Sequence, residues 1–332
     1  MTTARGLGVA LTPMETRREV VIHLAERAEQ LGYDTFTVAE GWGWDAGVVL
    51  AEIAGRTERL RLGTSVVNIW GRSAATLAMM AASLDAASDG RFTLGLGAGS
   101  PALAEGLHDV PFDDPIAHLA AATQQVRSLL AGERLRATTG QKGMRLGVPP
   151  RPGVEIHLAA LGPRSVRLAG ELADGWDPFF LPVSAFAQVR DDLRAAARDA
   201  GRADLPTACP GIPTAVSADP AIAQEAASWW VGFYLTAMGP LYPRTLRRLG
   251  FGDAVEEVVA ANPTGRTTVV PESAEVLLDE LTLTGDPEHA RATLERWYAA
   301  GAERPAIVLP PGRDVDELDA VLEALRPQPL SS

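Results

Sequence analysis

The sequence predicts an α/β protein, a single TIM (β/α)8 barrel with insertions, and three observations predict it. Short apolar runs rich in β-branched residues alternate with longer stretches of helical period. Eight such strand–helix units can be counted along the chain. The 332 residues exceed the ~250 of a typical barrel by roughly 80, and two irregular regions, around 101–153 and 220–285, absorb that excess. Alternating strands and helices imply a parallel sheet covered on both faces. The rival is an open doubly wound sheet with a second domain. No linker, low-complexity tract or internal repeat marks a boundary, so residues 1–332 read as one domain.

The first four strands are the runs Gly6 to Leu11, Asp34 to Ala39, Leu60 to Val67 and Arg91 to Gly97. Between the first two, Glu15 to Leu31 places Val20, Val21, Leu24, Ala28 and Leu31 on one helix face, and Gly32 stops it. Asp45 can cap Ala46 to Arg56, and Ser73 can cap Ala74 to Ala87. A helix over Ala117 to Ala131 and an excursion or hairpin over Thr138 to Val148 follow. The alternation resumes with strand Glu155 to Ala160, helix Arg164 to Ala173, strand Gly175 to Phe180 and helix Ser184 to Ala200. A seventh strand is expected near Thr207 to Val216. A helical stretch, Pro220 to Ala261, is broken at Gly239-Pro240 and Gly250. Helix Asp286 to Ala300, strand Pro305 to Leu309 and helix Val315 to Leu325 complete the eight units.

Composition excludes several chemistries. The chain has a net charge of −12, and 29 of its 30 basic residues are arginine. With no basic run it is a poor nucleic-acid binder. The one lysine, Lys142, lies in a turn-like Gly140-Gln141-Lys142-Gly143 without a phosphate-loop pattern. The one cysteine, Cys209, can form neither an internal disulfide nor a thiolate cluster. The histidines His23, His108, His118, His157 and His289 show no ligand spacing, so no metal site is expected. No nucleophile elbow occurs. No apolar stretch approaches ~18 residues, so no membrane span is expected. A cytoplasmic protein of enzyme size is the default.

In such barrels the active site lies at the C-terminal ends of the strands. Trp42, Trp44, Trp70 and Trp176, four of the seven tryptophans, fall there and suit a flat conjugated ligand. Packing of loops onto the barrel is the other use of such tryptophans. Gly95, Gly97 and Gly99 offer close backbone approach, and Gly162-Pro163 opens a helix whose N–H groups could seat an anion. Tight turns are the commoner use of both. Glu40 ends an apolar strand at the mouth, either as a proton carrier or as a cap for the backbone that follows it. Asp45 reads as a helix cap.

At these residues the sequence resembles the bacterial luciferase-like superfamily and, within it, the coenzyme F420-dependent oxidoreductases related to methylenetetrahydromethanopterin reductase. The matching segments are Glu40–Ala46 (EGWGWDA), Arg56–Asn68 (RTERLRLGTSVVN), Leu84–Gly97 (LDAASDGRFTLGLG), Ala159–Trp176 (AALGPRSVRLAGELADGW), and Phe233-Tyr234 with Met238-Gly239-Pro240 and Tyr242. They span nearly the whole chain. The resemblance implies a TIM barrel with an insertion and a deazaflavin at its C-terminal mouth. A non-prolyl cis peptide at Ser65–Val66, following Thr64, would support the back of the ring, with Asn68 near its edge and Trp44 at the aromatic rim. Gly97, Ala98, Gly99 and Ser100, with Ala160, Leu161, Gly162, Pro163 and Arg164, would hold the polar edge, ribityl chain and phosphate through backbone N–H groups. Arg72 and Arg164 are the cations placed to meet an anionic tail. Some relatives carry Asp-His where this chain has Ala39-Glu40, so Glu40 is the candidate catalytic acid or base. The expectation is an oxidoreductase moving a hydride between F420 and an organic substrate, as a homodimer. The alternatives are an FMN-dependent monooxygenase and a non-catalytic flavin- or F420-binding protein.

Overall fold

A computed structural model describes residues 5–265 and 267–328. Its strands are β1 (Gly8–Leu11), β2 (Thr35–Val38), β3 (Arg61–Thr64), β4 (Val67–Asn68), β5 (Phe92–Gly97), β6 (Glu155–Leu158), β7 (Gly175–Trp176), β8 (Thr207–Ala208), β9 (Gly211–Val216), β10 (Leu283–Gly285) and β11 (Ala306–Leu309). They form one sheet in the order β10-β9-β11-β1-β2-β3-β5-β6-β7-β8, with β4 on β5. All the named strand pairs are parallel.

Two of the eight barrel strands are interrupted, each for a local reason. β3 passes into β4 through the cis peptide Ser65–Val66. β8 passes into β9 through Cys209 and Pro210, and proline has no N–H to give to a ladder. Closure occurs at that second break. Gly211 N donates to Pro178 O at 2.9 Å, and Phe179 bridges Gly211 in parallel. β10 extends β9 beyond the circuit.

Helices fill the crossovers as the apolar spacing predicts. Asp45 caps Ala46–Ala54 by accepting from Val48 N, and Ser73 caps Ala74–Ala87 by accepting from Thr76 N. Gly32 ends the first helix at φ 83°, where a Cβ is unfavourable. That helix starts at Arg18, not Glu15. The Glu15 carboxylate instead takes the N–H groups of Arg17 and Gly312. Residues 138–148 contain no strand; the nearest pairing is Leu135 N to Met144 O. The long helical region divides into Pro220–Thr236, Leu241–Arg248 and Gly252–Ala261 at the two glycine breaks, where Gly239 and Gly250 have φ of 80° and 96°.

The main core joins the strands to the inward faces of most helices. A second cluster packs the helices Pro220–Thr236, Gly252–Ala261 and Val276–Leu281 over β9 and β11. No helix among the described residues is long and apolar enough to cross a membrane.

Candidate active site at the barrel mouth

The C-terminal ends of β2, β3 and β5 form one continuous surface around the Ser65–Val66 bulge. Ser65 N donates to Val38 O at 3.0 Å, and Glu40 N donates to Val66 O at 3.1 Å. The bulge therefore completes the β2 ladder while interrupting its own strand. Only glycine fits beneath it. A Cβ on Gly95 would lie 2.0 Å from Thr64 O, and one on Gly97 would lie 2.5 Å from Val66 Cγ2. These two glycines admit the bulge, and the Gly95 N–H is spent on Thr64 Oγ1 at 2.9 Å. Gly99, exposed at φ 64°, is the one that keeps an open backbone.

Several residues expected at the ligand prove to be committed to the protein. The Thr64 hydroxyl is buried and exchanges hydrogen bonds with Gly95 O (2.8 Å) and Gly95 N (2.9 Å). Asn68 is buried as well. Its Oδ1 accepts from Trp70 N and Gly71 N, both at 3.0 Å. Its Nδ2, fixed as the donor by those bonds, faces His108 Nε2 at 3.3 Å. Nε2 must then accept, which leaves the ring proton on Nδ1. Ser100 caps the short helix Pro101–Ala104. Trp70 and Trp176 are buried, and their indole N–H groups latch Ala98 O (2.7 Å) and Ala160 O (2.8 Å). They hold the two loops expected to carry the ring. Trp42 and Trp44 remain at the rim, each 53% exposed, with Trp44 Nε1 donating to Thr16 O.

Glu40 does not stand free. Both carboxylate oxygens meet the Arg72 guanidinium, with Arg72 Nη2 at 2.7 Å from Oε2. Oε2 also accepts from Ala46 N at 3.0 Å. Arg72 Nη2 reaches Asp45 Oδ2 at 2.5 Å. The Glu40 hydrogen bonds, reinforced by Asp45, raise the guanidinium's pKa further. Burial works against ionisation of Asp45, yet the Val48 N–H and Arg72 hold its carboxyl below the usual range. Arg72 is thus consumed by two carboxylates and is not the free cation expected from its position.

The opposite side of the mouth is less committed. Leu161 and Ala160 are buried, and Gly162 leads into the helix Pro163–Leu172. Ser165 Oγ takes the Gly162 N–H at 3.1 Å. Arg164 is exposed, with one long contact to Asp114 at 3.6 Å. A cation that sequence spacing did not reveal joins it. Arg248, at the end of helix Leu241–Arg248, donates to Leu161 O at 2.8 Å and has no carboxylate partner among the described residues. Its RR doublet gave no hint of position, because the helix that carries it arrives from 80 residues downstream. Phe179, Phe180, Tyr234 and Tyr242 form a contiguous aromatic cluster, with ring centroids 5.0–6.2 Å apart and only Phe179 and Tyr242 part-exposed.

The model of the luciferase-like monooxygenase family matches residues 3–304. A Mycobacterium tuberculosis protein named as a coenzyme F420-dependent oxidoreductase is 32% identical over 328 residues, covering 90% of this chain and 93% of its own. The structure of the coenzyme F420-dependent tetrahydromethanopterin reductase of Methanopyrus kandleri superposes with a TM-score of 0.79 at 20% identity, covering 98% of both chains. An F420-dependent secondary alcohol dehydrogenase, solved with an F420–acetone adduct, also superposes with a TM-score of 0.79, at 19% identity, over 98% of this chain and 100% of its own.

Proposed function

We infer that this chain, which belongs to the luciferase-like monooxygenase family, is a coenzyme F420-dependent oxidoreductase that moves a hydride between the deazaflavin and a carbon centre of an organic substrate. The observation that carries this reading is the mouth itself. Its Ser65–Val66 bulge is packed down onto Gly95 and Gly97, where a Cβ would collide with Thr64 O and Val66 Cγ2, so the bulge stands fixed at the strand ends. The acidic side chains beside it, Glu40 and Asp45, are already paired. Such a surface binds a flat ring but offers no nucleophile, which fits chemistry carried by a cofactor. The 32% identity to the mycobacterial F420-dependent oxidoreductase supports the choice of cofactor.

When bound, F420 supplies the hydride-carrying carbon. The chain supplies the rest. Ser65 and Val66 form the seat for the ring. Ala98 to Ser100 and Ala160 to Gly162 present backbone to its polar edge and ribityl chain. Arg164 and Arg248, above the N-terminus of helix Pro163–Leu172, meet the anionic tail, where a helix start also favours negative charge. Glu40 acts as a positioning residue. Through Arg72 and Ala46 N it fixes the Gly41–Trp44 loop over the seat, and Trp44 covers the ring from the rim. The part-exposed Phe179 and Tyr242, backed by the buried Tyr234, give the substrate an apolar side.

Titration of the purified chain with F420 and with FMN tests this directly. The expected order is tight binding of F420 and weak binding of FMN. The reverse order, accompanied by oxygen uptake with reduced FMN, would establish the flavin monooxygenase alternative that the family description favours.

A further inference from the structure

Below the ring seat, the barrel interior holds a polar cluster that the oxidoreductase reading does not use. His157 lies on β6. Asp177 follows β7 and its N–H donates to Leu158 O at 3.1 Å. Cys209 follows β8 and its N–H donates to Trp176 O at 2.8 Å. This register brings the side chains of three neighbouring strands to one level. A ring nitrogen of His157, a carboxylate oxygen of Asp177 and the sulfur of Cys209 all lie within 4.8 Å of one another. His157 Nδ1 faces Asp177 Oδ1 at 2.8 Å. The imidazole is 8% exposed, and its Nε2 has no hydrogen-bond partner among the described residues. The buried Thr37 hydroxyl is unpartnered too. Gly175 makes space for the ring, since a Cβ there would lie 2.3 Å from His157 Nε2.

We propose that His157, Asp177 and Cys209 form a binding site for one borderline divalent transition-metal cation, Zn2+ by the chemistry of its donors, beneath the cofactor seat. Imidazole, carboxylate and thiolate are each ligand types that zinc takes, and three protein ligands leave a fourth position for water. Tetrahedral coordination needs donor separations of roughly 3.3–3.7 Å, a modest rearrangement of a cluster that already spans no more than 4.8 Å. With Nδ1 ligating, the Nε2 proton points toward Glu155 Oε2 at 3.5 Å. Glu155 is itself fixed by Arg61 (2.9 Å) and Arg304 (3.4 Å). Shortening of that gap to a hydrogen bond would complete the carboxylate–histidine–metal arrangement that orients a ligating imidazole.

The same three residue types could be read as a cysteine nucleophile with its base. Space argues against that. The cavity they line, with Thr37, Thr64 and Ser65, measures about 50 Å3, whereas an organic ligand needs roughly 300 Å3 or more. An ion with a water fits; a substrate does not. Coordination displaces two protons, the one between His157 Nδ1 and Asp177 Oδ1 and the one on the Cys209 thiol, and the entering cation balances the charge.

The test uses the full chain, freed of metal with a chelator and titrated with Co2+ as the spectroscopic probe. A thiolate-to-cobalt charge-transfer band saturating at one equivalent, displaced by Zn2+, is expected. Because the site is buried, Co2+ is also supplied during refolding from denaturant. Cys209→Ser should fold, by its circular dichroism, but lose the band and at least about a hundredfold in affinity. Asp177→Asn should weaken binding while keeping the band. No band by either loading route, or a band that survives in Cys209→Ser, overturns the proposal. The wild-type spectrum decides even if a variant fails to fold.

Discussion

The two halves of the barrel mouth are built on different principles. On the β2–β5 side, Glu40, Asp45, Thr64, Asn68 and Arg72 all spend their polar atoms on other protein groups. On the β6–β9 side, Arg164 and Arg248 reach the rim with little to hold them, and Phe179 and Tyr242 are part-exposed. On the proposed function, the first half would serve as a preorganised seat, with little to assemble at binding, and the second would adjust to a long anionic tail and to a substrate. Changes on the first side should therefore act on cofactor geometry and turnover. Changes on the second should act on affinity and respond to salt.

The largest expected effect is at the seat. In Gly97→Ala the new Cβ would lie 2.5 Å from Val66 Cγ2, so the bulge must move. Overpacking of that kind costs roughly 1–3 kcal/mol. If the strain is relieved by displacing Val66, F420 affinity falls about 5- to 150-fold. Fluorescence titration measures it, and unchanged affinity would show that the ring does not rest on the bulge.

Next comes Glu40→Gln. The neutral amide keeps the shape but leaves a largely buried Arg72 with one carboxylate instead of two, at a cost of roughly 1–3 kcal/mol in stability. Turnover should fall as the Gly41–Trp44 loop loosens, while the pH profile of turnover keeps its shape. A profile that loses one limb would instead make Glu40 the proton carrier and return it to the catalytic role expected from sequence.

These two positions also show what could be read before the structure. Local features were legible: the glycine stop at Gly32, the caps Asp45 and Ser73, the strand runs, and the closeness demanded of Gly95 and Gly97, though not its purpose. Each depends on neighbours within a few residues. The pairing of Glu40 with Arg72 crosses 32 residues, and the convergence of His157, Asp177 and Cys209 depends on strand register. Neither leaves a spacing in the sequence. The tryptophans divide for the same reason. All four fall at strand ends, yet only contact with Ala98 O and Ala160 O separates the latches Trp70 and Trp176 from the exposed Trp42 and Trp44.

On the adaptable side, Arg248→Ala should weaken F420 binding only about 2- to 5-fold, since an exposed ion pair contributes ~0.5–1 kcal/mol. The difference between variant and wild type should shrink as salt rises, with kcat unaffected. A salt-independent loss would mean that Arg248 matters through its bond to Leu161 O and not through its charge.

The smallest effect on cofactor binding is expected at the seam between the halves, where Glu15 ties the loop after β1 to the loop after β11. Its carboxylate is 3% exposed and accepts from Arg17 Nη2 at 2.6 Å and Gly312 N at 3.0 Å. Burial pushes its pKa up, but those hydrogen bonds prevail and hold it below its ordinary 4.5. A depressed folded pKa means the unfolded chain takes up protons first as pH falls. The stabilisation is therefore complete above about 4.5 and is lost as pH drops through the lower, folded value. Glu15→Gln should lower stability at neutral pH, flatten the acid limb of the denaturation curve below about 4.5, and leave F420 affinity at neutral pH unchanged. If affinity falls as well, the two halves of the mouth are coupled through this seam, and the division between a rigid seat and an adaptable rim does not hold.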